Sequence, residues 1–254
     1  MSLTHSWTDG PEPKARIVLV HGVADHLGRF DHVGAWFAAR GYPVYGSDLP
    51  GHGIAPGPKG HVESFDVFLD SVEEALASVG KDLPTVLYGH SMGGLVATAY
   101  ALSSRPAPDR MVLSAPGLAY GGPRWQRPVS KLLLRLLPAL QLTNSVKGEE
   151  LSSDPAVGEA YFDDPLVLRK VSIRTAASAF AVMDTCNAGL AQLDIPTFVY
   201  HGSDDVVVPP QGSAAFGALP TVTRKLWPGL RHEMHNEPNW EEVLDDVLQW
   251  LDAG

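Results

Sequence analysis

A single cysteine, Cys186, occurs among 254 residues. An internal disulfide framework is therefore excluded, and the composition fits a reducing compartment. Cys186 itself reads as a small, semi-buried apolar residue. No apolar run approaches the roughly 18–20 residues that a membrane span needs. The opening stretch, MSLTHSWTDGPEPKAR, lacks a basic segment followed by an apolar one. No secretory signal is visible there, and a cytoplasmic, at most membrane-peripheral, location is expected. Positive charge is also scarce: 19 Lys and Arg against 29 Asp and Glu leave a formal charge of −10. Nucleic acid, whose binding rests on clustered Lys and Arg, is not an expected partner. No internal repeat or low-complexity tract appears, and nothing in the chain reports its oligomeric state.

Cofactor signatures are missing as well. Lys59 is followed by Gly60, so no phosphate-binding lysine with Ser or Thr after it is formed. The glycines of GHGIAPG (51–57) have neither dinucleotide-binding spacing nor a helix after them. His232 and His235 in HEMH are three apart, not the four of a zinc-binding helix. His21, His52, His90 and His201 each sit beside a glycine in a tight turn, where hydrogen bonding to backbone is their expected role. No metal or cofactor is expected.

What is present is apolar residues, 44% of the chain, in a regular strand–turn–helix rhythm. RIVLVHG (16–22), YPVYGSD (42–48), TVLYG (85–89), RMVLSAP (110–116), TFVYHG (197–202) and RKLWPG (224–229) read as short strands, with THSW as one more at the start. VGAWFAARG (33–41), VESFDVFLDSVEEALASVG (62–80) and WEEVLDDVLQWL (240–251) read as helices. β-Branched runs alternating with helices imply an α/β chain: a mostly parallel central sheet with helices on both faces. Between Gly117 and Asp194 no strand is convincing, and this stretch, with SKLLLRLLPALQL inside it, reads as a helical cap insertion. The expected division is thus a core of residues 1–116 and 195–254 and a cap of 117–194.

VLYGHSMGGLVATAY (86–100) carries the chemistry. Ser91 stands where a buried strand gives way to a helix. A serine hydroxyl is a poor nucleophile and needs a base and an open approach. A sharp strand-to-helix bend exposes it, at the cost of backbone strain and crowding two residues away on either side. Gly89 and Gly93 occupy those places, giving the G-x-S-x-G elbow. The following helix presents its N-terminal amides to a developing oxyanion. A base and an orienting carboxylate should follow in the order Ser, Asp, His at the ends of later strands. The candidates are Asp204 or Asp205 after strand 197–202, and His232 or His235 after strand 224–229.

The chain resembles the monoacylglycerol lipases and lysophospholipase-like serine hydrolases of the α/β-hydrolase superfamily. HGVADHLGRFDHV is similar to their H-G-x-x-E-H-x-x-R-Y, SDLPGHG to D-x-x-G-H-G, and GHSMGG matches in full. LSSDPAVGEAYFDDPL is similar to their cap segment ending in D-P-L. HGSDDVVVP and GLRHEMHNEP resemble G-x-x-D-x-x-V-P and G-x-x-H-E-x-x-N-E-P. The resemblance implies the α/β-hydrolase fold, Ser91 as nucleophile, Asp205 as the orienting acid and His232 as the base. It implies an oxyanion hole from the backbone N–H groups of Met92 and Val23, and places Asp25, Arg29 and His235 near the mouth, where polar groups meet the alcohol part of a substrate. Asp25 stands where the family usually has Glu, one methylene shorter. The apolar cap residues Trp125, Leu132, Leu136, Tyr161 and Phe162 are candidates for an acyl pocket.

The expected substrate is a lipid ester or other small ester, with monoacylglycerol first. A lysophospholipase or broad carboxylesterase would share the sheet and triad, and a ligand-sensing homologue without turnover would keep the fold alone. Transient membrane or micelle contact is expected through the cap.

Overall fold

The computed structural model describes residues 3–123 and 125–254. The elements run in chain order as β1 (His5–Trp7), β2 (Arg16–Val20), α1 (Asp31–Ala38), β3 (Val44–Gly46), α2 (Asp66–Ser78), β4 (Thr85–His90), α3 (Met92–Ala101), β5 (Arg110–Ser114), α4 (Gln126–Leu133), β6 (Gln141–Thr143), α5 (Gly148–Leu151), α6 (Pro155–Asp163), β7 (Lys170–Ser172), α7 (Ile173–Gly189), β8 (Thr197–Gly202), β9 (Val222–Trp227) and α8 (Trp240–Asp252). Seven strands form one sheet in the order β1-β3-β2-β4-β5-β8-β9. β1 pairs antiparallel with β3; every other pairing in this sheet is parallel.

Alternation along the strands feeds two apolar layers. Val18 and Val20 of β2, Leu87 of β4 and Leu113 of β5 face Phe68 and Val72 of α2, Val96 of α3 and Met183 of α7. Ile17, Leu19, Val86, Tyr88 and Val112 face the other way, towards Phe37 of α1 and Val243, Leu244 and Val247 of α8. Because both faces are covered, the central strands are buried almost end to end, as a parallel sheet requires. Cys186 joins the first layer at 2% exposure, and burial pushes its thiol up to about 11.

The stretch between β5 and β8 is not wholly helical, contrary to the sequence reading. β6 and β7 pair antiparallel, Gln141 with Ser172 and Thr143 with Lys170. Three residues each, one strand of them fully exposed, they carry no apolar alternation to announce them. α7 lies against α3, and its inner residues complete the main apolar layer, so the end of this insertion packs as part of the core.

Candidate active site

Ser91 joins β4 to α3 with φ 54° and ψ −118°, a left-handed conformation that L-residues with a side chain rarely adopt. Neighbouring backbone enforces it: Ser91 N–H donates to Ser114 O at 3.0 Å, and Ser91 O accepts from Gly117 N–H at 2.8 Å. The flanking glycines are steric necessities. A Cβ on Gly89 would lie 2.4 Å from Gly93 O, and one on Gly93 would lie 2.1 Å from Val20 O.

The loops after β8 and β9 bring the other two groups to this point. His232 Nε2 stands 2.9 Å from Ser91 Oγ, and His232 Nδ1 2.7 Å from Asp205 Oδ2. Asp204 lies outside this line, with Ser203 Oγ donating to it at 2.7 Å. All three side chains of the line are buried. Burial works against the Asp205 charge, but His232, His201 and the backbone N–H of Val208 outweigh it and hold the carboxyl far below its usual range. Burial likewise disfavours the His232 cation, yet Asp205 prevails and holds the imidazole above its ordinary 6.5.

Val23 and Met92 flank Ser91. Met92 is the first residue of α3, so its N–H has no intrahelical acceptor. Val23 follows β2 and lines the same small cavity as Ser91. Its neighbour Ala24 takes φ 63°, and Ala24 O accepts from Leu168 N–H of the insertion at 2.8 Å. The cavity, about 30 Å³, is bounded by Gly22, Val23, Asp25, Ser91, His232 and Glu233 from the core and by Asn144, Val146, Leu151 and Tyr161 from the insertion. That is room for roughly one water molecule. A larger hollow of about 480 Å³ lies elsewhere, lined by residues such as Gly148, Glu149, Phe162 and Arg231, and contains none of these groups.

Asp25 and Arg29 are beside the cavity but are engaged with each other. Arg29 donates to both oxygens of Glu233, at 2.7 and 2.6 Å, and to Asp25 Oδ1 at 3.1 Å, with its guanidinium 4.8 Å from the Tyr161 ring centre. Burial, reinforced by Glu233, raises Asp25 above the ordinary carboxyl range despite Arg29. For Glu233 burial pushes upward but Arg29 wins, and the carboxyl is held low. Glu233 was missed in the sequence reading; its signal was the E that follows the histidine in HEMH, opposite an arginine in HLGR.

Five expected contacts fall elsewhere. His235 is not at the mouth but fully buried, stacked on Phe30 at 4.4 Å and packed edge-on against His90 at 4.7 Å. Trp125, Leu132 and Leu136 are 60%, 66% and 73% exposed and face solvent, not the cavity. The reason is the seating of α4: Arg127 is tied to Asp184 and to the Phe180 ring of α7, which turns Ser130 inward and the leucines out. Phe162 lies on the separate hollow, whereas Tyr161 does line the cavity.

Residues 11–239 match the family described as serine aminopeptidase, S33. The chain belongs to that family. The monoacylglycerol lipase of Mycolicibacterium smegmatis is 34% identical over 96% of this chain and 90% of its own length. The phospholipase YtpA of Bacillus subtilis is 31% identical over 97% of this chain and 98% of its own. The crystal structure of a Paleococcus ferrophilus monoacylglycerol lipase superposes with a TM-score of 0.90 at 30% identity, covering 99% of this chain and 98% of that one. The chain is a hydrolase with the α/β-hydrolase fold, and its likeness to monoacylglycerol lipases runs along its whole length.

Proposed function

We propose that the protein hydrolyses the carboxylic ester of single-chain lipids, monoacylglycerol to fatty acid and glycerol, with Ser91 as nucleophile, His232 as base and Asp205 as orienting acid. The unbroken line from Ser91 Oγ through both ring nitrogens of His232 to Asp205, at 2.9 and 2.7 Å, carries this reading. His232 Nδ1–H donates to Asp205, which leaves Nε2 free to take the Ser91 proton as Oγ attacks the ester carbonyl. The oxyanion so formed is stabilised by the backbone N–H groups of Val23 and Met92; a hole donor of this kind is worth roughly 3 kcal/mol of barrier. Collapse breaks the ester C–O bond, and the Nε2 proton goes to the departing alcohol. Water then attacks the acyl-enzyme, its proton passing to His232, and Ser91 is regenerated. Asp25, with Glu233 and Tyr161, forms the polar side of the cavity, where the alcohol part would lie.

Likeness to monoacylglycerol lipases at 34% and 30% identity supports the substrate, and likeness to a phospholipase at 31% supports a second reading, lysophospholipid hydrolysis, on the same catalytic groups. Leu132, Leu136, Leu137, Leu140 and Leu142, close together in the chain, are each exposed, which supports contact with a micelle or membrane. Among the described residues no helix is long and apolar enough to cross a membrane.

A matched panel of 1- and 2-monoacylglycerols, lysophosphatidylcholine, a triacylglycerol and p-nitrophenyl esters of two chain lengths tests the substrate. The expected result is the highest kcat/KM on monoacylglycerols. A lead for lysophosphatidylcholine would favour the second reading, and turnover of short p-nitrophenyl esters alone would leave a general carboxylesterase. Ser91→Ala should lose all but about a hundredth of the activity or less, while keeping the fold; retained turnover would overturn the assignment.

A further inference from the structure

The Asp205 carboxylate is saturated. Oδ1 accepts from the backbone N–H groups of Val207 and Val208, both at 2.9 Å. Oδ2 accepts from His232 Nδ1 at 2.7 Å and also from His201 Nε2 at 3.1 Å. His201, on β8, has a fully buried side chain, and the same Nε2 is 2.8 Å from Val208 O. A ring nitrogen facing a carboxylate and a carbonyl has to carry its hydrogen. The other nitrogen, Nδ1, lies 2.9 Å from Ser213 Oγ. Ser213 accepts from Arg224 Nε of β9 at 3.0 Å, and Arg224 is itself anchored on Pro210 O at 3.0 Å. From nucleophile outward the chain therefore reads Ser91, His232, Asp205, His201, Ser213, Arg224.

Resting on the assignment of Ser91, His232 and Asp205 above, we propose that His201 is a positioning residue for catalysis, holding Asp205 Oδ2 in the orientation that serves His232 while Ser213 and Arg224 hold the His201 ring. Without His201, Oδ1 remains tied to two amides but Oδ2 keeps His232 as its sole donor among the described residues. The carboxylate then follows any movement of the base instead of restraining it. Sharing Oδ2 between two donors also weakens its pull on each. Loss of His201 should therefore tighten the hold on the His232 proton and move the acid limb of kcat/KM to higher pH. The titratable and charged groups facing His232 are Asp205, Glu233 and Asp25, with the His90 ring at 4.9 Å and His235 behind it; of these, the substitution touches Asp205 alone.

His201→Gln, His201→Asn and His201→Leu separate this role from mere packing. The Gln amide nitrogen reaches the place of Nε2 and keeps a donor for Asp205. The shorter Asn amide reaches the place of Nδ1 and keeps only the Ser213 side. On p-nitrophenyl butyrate, Gln should stay within about threefold of wild-type kcat, whereas Asn and Leu should lose about 10- to 100-fold with KM within about twofold. The acid midpoint should rise by a few tenths of a pH unit in Asn and Leu, and not in Gln. Equal behaviour of Gln and Asn, or losses that track the fall in Tm, would overturn the proposal; if Leu fails to fold, the Gln–Asn pair still decides. Ser91→Ala in parallel separates the two levels. Its turnover of the ester would remove the triad reading itself, whereas an inert Ser91→Ala beside unaffected His201 variants would remove only the role of His201.

Discussion

Neither ring nitrogen of His235 has a hydrogen-bond partner among the described residues, although the residue is fully buried. Its cation is strongly disfavoured, first by burial and then by His32, Arg29 and His232 nearby, so the ring is held neutral, well below its ordinary titration range. Stacked on Phe30, it behaves as an aromatic filler beneath the His90 ring, and not as a contact for substrate. His235→Ala should then cost about 3–5 kcal/mol in urea unfolding, as for truncation of a buried aromatic ring. His235→Phe should match or exceed the stability of the wild type, because it fills the space without two unsatisfied nitrogens. Both should leave KM for monoacylglycerol within about twofold. A Phe variant with native stability and a KM raised tenfold would return His235 to the substrate. The motif sets His232 and His235 three residues apart in the chain. It could not tell which of them the short turn at 234–236 directs into the core.

At the scale of elements, strands β2, β4, β5 and β8 were legible because burial on both faces demands unbroken β-branched and aromatic runs. The elbow was legible because the clash of a Cβ at Gly89 or Gly93 leaves no other residue. The insertion was legible in outline alone. β6 and β7 are too short and too exposed to leave a pattern, and the leucine-rich run leaves packing and a lipid- or substrate-facing role equally open, because periodicity does not report which face meets a neighbour. His201 as a second partner of Asp205, and Glu233 as the partner of Arg29, were hidden for another reason. Arg29 and Glu233 meet across 204 residues of chain, whereas His201 and Asp205 are only four apart and pair because the turn after β8 folds the carboxylate back onto the ring, which residue spacing alone does not report. The outward leucines support a prediction that belongs to α4 and the turn after it. Leu132→Ser with Leu136→Ser should change stability by less than about 0.5 kcal/mol each, since both side chains are already in water. Hydrolysis of micellar monoacylglycerol should fall severalfold while hydrolysis of soluble p-nitrophenyl butyrate stays constant. Equal losses on both substrates would mean that these leucines act on the site and not on the lipid interface.

For the whole molecule, the buried neutral histidines make acid a destabilising condition. His21 and His52, buried 5.5 Å apart between the end of β2 and the GHG turn, are each held down to about 4. Burial is the main cause in both. His21 is locked neutral by donating from Nδ1 to Gly22 O at 2.8 Å and accepting Leu49 N–H on Nε2 at 2.8 Å. The unfolded chain protonates these rings near 6.5, whereas the folded protein resists down to about 4. Between those values the unfolded state binds more protons, so stability is complete above pH 6.5 and drains away as pH falls towards 4. Each ring accounts for at most about 3 kcal/mol, and their proximity makes the pair worth less than twice that. His90 and His235, also held neutral, push in the same direction. His232 opposes them: its pKa is raised, so its contribution is present below 6.5 and lost as pH rises through the folded value. Asp25, raised by burial, opposes them too, so four neutral rings stand against two opposing groups and the expected net slope is positive. Urea unfolding should therefore show a free energy several kcal/mol lower at pH 4.5 than at pH 7, and His52→Asn, which keeps a donor for Pro50 O, should flatten the curve over that interval. A profile with no slope between pH 7 and 4.5, or one unaltered by His52→Asn, would mean that the rings by the GHG turn are not what makes the fold acid-sensitive.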